Sequence, residues 1–188
     1  FLDQNEKWIE NALQKYSPKT TLRMPTQINL QSIDQIWTIN YAVTEDQKAT
    51  VHDSENQQIA ALNLPSDYWE STSYFNKWIN IKANAILPKW ADHLSKLHEL
   101  PYRKLSIRRQ KTRWGSCSQS DSINLNQNLM FVEPDLVTYV ILHELVHTKV
   151  KNHSPQFWST LSRYIPNSKG ISKRLTLAQI TIPNWAWI

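Results

Sequence analysis

The stretch Val140–Trp158, VILHELVHTKVKNHSPQFW, decides how the rest of the chain is read. His143 and His147 stand four residues apart, which on a helix places them on one face, a turn apart, with side chains able to converge. Glu144 follows the first of them. In a His-Glu-x-x-His pattern the two imidazoles suit a Zn²⁺ ion and the carboxylate suits work on its bound water. The surrounding Leu136, Val137, Tyr139, Val140, Ile141, Leu142, Leu145, Val146 and Val150 make the segment apolar almost all round, which predicts a buried helix. A lone histidine on such a helix is more often a core or capping residue. Two imidazoles and a carboxylate together are unfavourable there without compensation, and a metal supplies it.

A catalytic zinc site takes three protein ligands and keeps a position open for water. No Asp or Glu occurs from Leu145 to Ile188, and His153 is the only histidine downstream, so elimination leaves His153 as the third ligand. Pro155 suits the first turn of a new helix with Ser154 as its cap, which places His153 in a turn between two helices. Asn152 tolerates the left-handed backbone such a turn is expected to need. The six-residue step from His147 to His153 matches the metzincin spacing, but the match stops there. The position of the metzincin glycine is Val150, and both methionines, Met24 and Met130, precede the motif instead of forming a turn after it.

Other segments extend the comparison: KTRWGSCS at Lys111–Ser118, INLN at Ile123–Asn126, YVILHELVH at Tyr139–His147 and NHSPQFW at Asn152–Trp158. Carrying these in this order, the chain resembles, across nearly its whole length, the YgjP-like family of zinc metallopeptidases, relatives of the SprT-like and WLM groups. The resemblance implies a zincin-like α+β single domain. In it a small, mostly antiparallel sheet packs on a long backing helix and a buried HExxH helix. It also implies one zinc ion on His143, His147 and His153, with Glu144 as general base. It says little about substrate. Strands usually precede the first helix in this family and are expected to be missing here.

The 188 residues suit one domain with a substantial core. The expected parts are an N-terminal helix at 1–16, a strand-rich scaffold at 27–64, a catalytic core at 67–178 and a tail at 179–188. Opening on Phe1 instead of Met suggests a trimmed or processed chain, which leaves any targeting signal unread. Cys117 is the only cysteine, so no internal disulfide forms, and a reducing, cytoplasmic setting is expected. No apolar run is long enough to span a bilayer. Charge divides unevenly: residues 1–100 carry nine basic and twelve acidic side chains, residues 101–188 twelve and four. Arg103, Lys104, Arg108, Arg109, Lys111 and Arg113 crowd one stretch read as a basic strand. Such a field favours nucleic acid, nucleotides or acidic proteins, although exposed strand faces also carry cations for solubility alone.

Along the chain, Phe1–Tyr16 has helical spacing, and Ile28–Leu30, Ile36–Val43, Ala49–His52 and Gln57–Leu62 read as strands. A helical region from about Asp67 to Glu99 follows, with Pro88 expected to kink or divide it and Tyr74, Trp78, Ile81, Ala85, Leu94 and Leu97 as its apolar stripe. His93 and His98 lack a metal-like partner at helical spacing and read as surface or capping residues. Trp114–Ser118 and Ser122–Asn126 are expected to form a hairpin. Arg113, Trp114 and Gly115 are candidates for binding substrate: a strand beside the site can pair with an extended peptide, and Gly115 would let another backbone approach. A tight bulge with Trp114 in the core fits equally. Cys117 is read as a small side chain near the site; as a nucleophile it would need a histidine that the metal already claims. Ser154–Ile165 should turn Phe157, Trp158 and Leu161 inward and clamp the His153 turn. Ser168–Gln179 forms a last helix. The tail TIPNWAWI could dock, meet a partner or fray.

These readings converge on a zinc-dependent hydrolase, a metallopeptidase cleaving peptide bonds with zinc-activated water and Glu144 as base. Arg113, Tyr139 and Tyr164 are candidates for a second oxyanion donor. Histidine outer partners must be backbone carbonyls or upstream carboxylates. Two alternatives stand beside this: a metal-dependent hydrolase of nucleotide phosphoanhydrides, and a nucleic-acid-associated protease or binding module using the basic 103–113 stretch.

Overall fold

A computed structural model describes residues 23–187; the helix expected at Phe1–Tyr16 lies outside them. The elements are β1 (Gln27–Leu30), β2 (Gln35–Ala42), β3 (Thr50–Ser54), β4 (Gln58–Leu62), α1 (Tyr68–Leu97), β5 (Lys104–Arg108), β6 (Gly115–Cys117), β7 (Ser122–Asn126), α2 (Pro134–Val146), α3 (Pro155–Tyr164) and α4 (Ser168–Ala178). Single 3₁₀ turns, among them Gln127–Phe131 and Asn184–Trp187, join or follow them.

The α+β class holds, but one mostly antiparallel sheet does not. The strands form two separate mixed sheets, a four-stranded one ordered β1-β2-β4-β3 and a three-stranded one ordered β5-β7-β6. Each contains a parallel pair, β2 with β4 and β5 with β7. Alternation of apolar and polar residues fixes which face a strand buries, and it does so on β2, where Trp37 and Ile39 point inward. It carries no information on strand direction, and a run of short strands therefore looks like an antiparallel meander. The expected hairpin does form: β6 and β7 pair antiparallel with Gly115 opposite Leu125 and Cys117 opposite Ile123. Asp121, with φ of 57°, supplies the left-handed residue of its turn.

Helix α1 is continuous through Pro88. Asp67 caps its start, its side chain accepting from the Glu70 N–H at 2.8 Å. The buried stripe is Phe75, Ile79, Ala83, Leu87, Ala91 and Leu94, with Trp78 beside it. The expected stripe was partly on the wrong face, because Ile81 and Leu97 are 67% and 62% exposed. An i, i+4 ridge containing two alanines is a weak hydropathy signal, yet small residues are what allow close approach of neighbouring elements. Across α1 lie the Gln127–Phe131 turn, β5 and α2. Trp78 also packs edge-on to Trp37 at 5.2 Å and its indole N–H donates to Asp53, tying the four-stranded sheet to the helix. None of the described helices is long and apolar enough to cross a membrane.

Helix α2 is buried almost throughout, as its sequence requires, with Pro134 in its first turn. Arg174 of α4 pairs with Glu133 and Asp135 at that end. The tail is docked: Ile182, Trp185 and Ala186 are buried, and the amides of Asn76 and Asn128 donate to the carbonyls of Trp185 (2.8 Å) and Ala186 (3.2 Å).

Candidate metal centre

Helix α2 delivers His143 one turn before its end and His147 at its C-terminal cap position. The chain turns at His147–Lys149, and His153 comes back from the segment before α3. Its Nε2 lies 2.9 Å from Nε2 of His143 and 3.2 Å from Nε2 of His147. All three ligand atoms fall within 4.8 Å of one another. Three nitrogens on one tetrahedral zinc, each about 2.05 Å away, would be about 3.3 Å apart, so the observed spacing suits one ion with little rearrangement.

Tautomers support the same assignment. Nδ1 of His147 lies 2.9 Å from the carbonyl oxygen of Val150. A carbonyl only accepts, so Nδ1 carries the hydrogen and Nε2 presents a lone pair to the cluster. Burial pushes His143 down to about 3, helped by the neighbouring imidazoles His147 and His153, and burial lowers His147 as well. Both rings are therefore neutral at physiological pH, as ligands must be. The outer partner of His147 is a backbone carbonyl, one of the two kinds expected. His143 Nδ1 is buried with no partner.

The turn that brings His153 in differs in detail from expectation. Asn152 does not occupy the left-handed region. Its side chain instead accepts from the Ser154 N–H at 3.2 Å, holding the turn as an Asx motif. Ser154 stands at the cap position of α3 without a side-chain bond. The expected clamp is present. Phe157 is fully buried and stacks on the His147 ring at 4.4 Å, while Trp158 stacks on His153 at 5.8 Å. His153 itself is exposed, so the centre opens to solvent on that side.

Glu144 lies between the two helix histidines in sequence and is 6% exposed. Desolvation pushes its carboxyl up to about 8, opposed by the positive charge of Arg113. Gly115 of β6 lies directly against it: a Cβ there would stand 2.7 Å from Glu144 Cγ and 2.8 Å from Oε1. The space a side chain at 115 would take is therefore filled by Glu144. Trp114 is half-buried and packs edge-on to Trp187 of the tail at 5.6 Å. Arg113 is exposed on the loop before β6.

Other expected participants are sorted by position. Tyr139 is buried with its ring 5.9 Å from that of His143, whereas Tyr164 packs on His98, which ends α1. Burial raises the Cys117 thiol, which argues against a thiolate nucleophile. The basic stretch is a strand only over Lys104–Arg108, and Arg109–Arg113 form a loop. Sequence reading missed Asn126. It is fully buried, and its Nδ2 donates to the carbonyls of Gln110 (2.7 Å) and Arg113 (2.9 Å), fixing the approach to Gly115. The available signal was a polar Asn126-Gln127-Asn128 run set among apolar residues, where buried amides call for hydrogen-bond partners.

Comparison with curated proteins gives no match. Among solved structures, the chain is similar to the metallopeptidase zymogen of Pyrococcus abyssi abylysin, with 22% identity and a TM-score of 0.45 over 49% of this chain and 93% of that one. A family model described as YgjP-like, metallopeptidase domain, matches residues 1–178, which include the histidine cluster, Glu144 and Gly115. The chain belongs to the YgjP-like metallopeptidase-domain family.

Proposed function

We propose that the protein is a zinc metallopeptidase in which His143, His147 and His153 hold the ion and Glu144 is the general base. The observation that carries this is the convergence of three ring nitrogens, 2.9 and 3.2 Å apart across His153, on the helix that also bears a buried carboxylate. Three neutral imidazoles suit zinc and leave its full positive charge in place. Bound there, zinc would supply Lewis acidity toward a scissile carbonyl and lower the pKa of water.

The remaining steps belong to the chain. Glu144, held against Gly115 and shielded from bulk water, takes a proton from the attacking water and returns it to the leaving amine. Its raised affinity for a proton makes it a competent base and, once protonated, a competent acid. Phe157 and Trp158 keep the imidazoles from rotating out of line by stacking on two of them. The outer edge of β6, a strand paired only with β7 among the described residues, offers backbone groups to an extended peptide beside Arg113, Trp114 and Gly115.

Profiling the zinc-loaded protein against a peptide library and a nucleotide panel, beside Glu144→Gln, tests the proposal. Peptide cleavage that disappears in the variant is expected. Nucleotide hydrolysis that disappears in the variant, with peptides intact throughout, would transfer the same residues to phosphoanhydride chemistry.

A further inference from the structure

The six cations between Arg103 and Arg113 do not act as one strip. Arg103 is spent on the β6–β7 turn, donating to the Ser120 carbonyl at 3.1 Å and to the hydroxyls of Ser120 and Ser122. Arg108 ends β5, and Arg109, Lys111 and Arg113 follow on the loop that crosses the end of β7, all four exposed. Asp121 is the single carboxylate between residues 101 and 132, and Lys151 already takes it. Among the described residues none of these four cations has an ion-pair partner.

A free loop would relieve this repulsion by spreading. This one is pinned from inside, because Asn126 holds the carbonyls of Gln110 and Arg113 and its own N–H donates to the Trp114 carbonyl at 2.8 Å. Like charges held fixed next to one another favour an anionic occupant. The loop runs directly into Gly115 and so into the Glu144 contact. Arg109 also walls two adjoining depressions of about 210 and 400 Å³ along the Ser73–Asn76 side of α1.

From this arrangement we infer that Arg108–Arg113 is a subsite for acidic side chains of an extended polypeptide substrate, on the side of the scissile bond nearest the start of β6. The inference rests on the peptidase reading of the metal centre and deepens it. A peptide is favoured over nucleic acid because this cationic stretch is continuous with the site, leading into Gly115 and the Glu144 contact where the peptidase reading places the scissile bond.

The test measures binding without turnover, so it can fail independently of the peptidase reading. Zinc-loaded Glu144→Gln protein is titrated into fluorescent ten-residue peptides, alternating Glu-Ser or Gln-Ser, and into a single-stranded oligonucleotide and a duplex of matched charge. Fluorescence anisotropy is read at low and at physiological salt. The acidic peptide is expected to bind about tenfold tighter than the glutamine peptide at low salt, with the gap narrowing as salt rises. Adding Arg109→Ser, Lys111→Ser and Arg113→Ser together should erase the gap while melting temperature stays unchanged, since all three side chains are exposed. Equal binding of the two peptides, no binding of either, or a gap that survives the triple change overturns the inference. Tighter binding of either oligonucleotide, lost in the triple variant, also overturns it and makes the loop a nucleic-acid surface. If the acidic preference appears but the wild type cleaves no peptide, the subsite stands and the catalytic reading falls.

Discussion

Gly115→Ala places one methyl group where the Glu144 side chain already is. The new Cβ would stand 2.7 Å from Cγ and 2.8 Å from Oε1, where ordinary contact begins at 3.4 Å. The carboxylate must therefore retreat by roughly 0.7 Å or more, because carbon atoms held so far inside their contact distance repel steeply. Glu144 is buried among fixed neighbours, but it is the end of a flexible side chain, so the backbone need not move. The stability cost is accordingly at the low end for overpacking, about 1 kcal/mol, or a melting shift of about 2–4 °C in a chain of this length. Catalysis should suffer far more, since a displacement of this order in a reacting group costs about a hundredfold. Peptide turnover, thermal melting and zinc titration on the same preparations separate the effects. Turnover should fall about a hundredfold while zinc affinity stays within a factor of two to three of wild type, because the atoms nearest a Cβ at 115 all belong to Glu144 and none to a histidine. A variant that keeps full turnover, with its crystal structure showing Glu144 unmoved, would refute the account of Gly115 as the floor that seats the base.

The pH dependence of the metal-free protein provides a second prediction. Glu144 is raised from 4.5 to about 8 in the folded state, so between those values the folded chain binds a proton that the unfolded chain has released. Stability conferred by wild-type Glu144 therefore falls as pH rises across that window and levels off above it. Chemical denaturation should show Glu144→Gln gaining on wild type from pH 5 to pH 8, by a few kcal/mol on the order set by the shift; a difference that is flat with pH would be contrary to this. Zinc should raise the melting temperature and a chelator should reverse it. His153→Ala, at an exposed position, should leave the metal-free melt unchanged while reducing zinc affinity by at least tenfold in calorimetry; an unchanged affinity would remove His153 from the ligand set. Trp185→Ala empties a site 4% exposed between Phe75 and Phe131 and is expected to cost about 3–5 kcal/mol in urea unfolding. A loss below 1 kcal/mol would mean the tail is not part of the core.

How much was legible without coordinates follows from the range of the interactions involved. His143, Glu144 and His147 share a helix, so their spacing alone placed them, and His153 followed because no other downstream side chain could serve. The β6–β7 hairpin and the inward turn of Phe157 were equally local, set by turn residues and by apolar spacing. Chain direction within the sheets was not local, and the parallel pairs β2–β4 and β5–β7 defeated a reading that could see only which residues were apolar. The buried face of α1 was misjudged for a related reason. Ala83 and Ala91 matter through the neighbours they admit, and those neighbours are distant in sequence. Asn126, Asn128 and Asn76 looked like ordinary turn and helix amides until the loop carbonyls and the tail came within hydrogen-bond reach. Covalent order and helical pitch suffice to align His143, Glu144 and His147, so the histidine cluster and the carboxylate beside it could be read from the chain alone. Long-range packing was needed to show that Gly115 lies against Glu144, that Asn126 holds a cationic loop beside it, and that the tail closes the core. Each of those depends on a contact between segments whose separation along the chain gives no hint of their meeting.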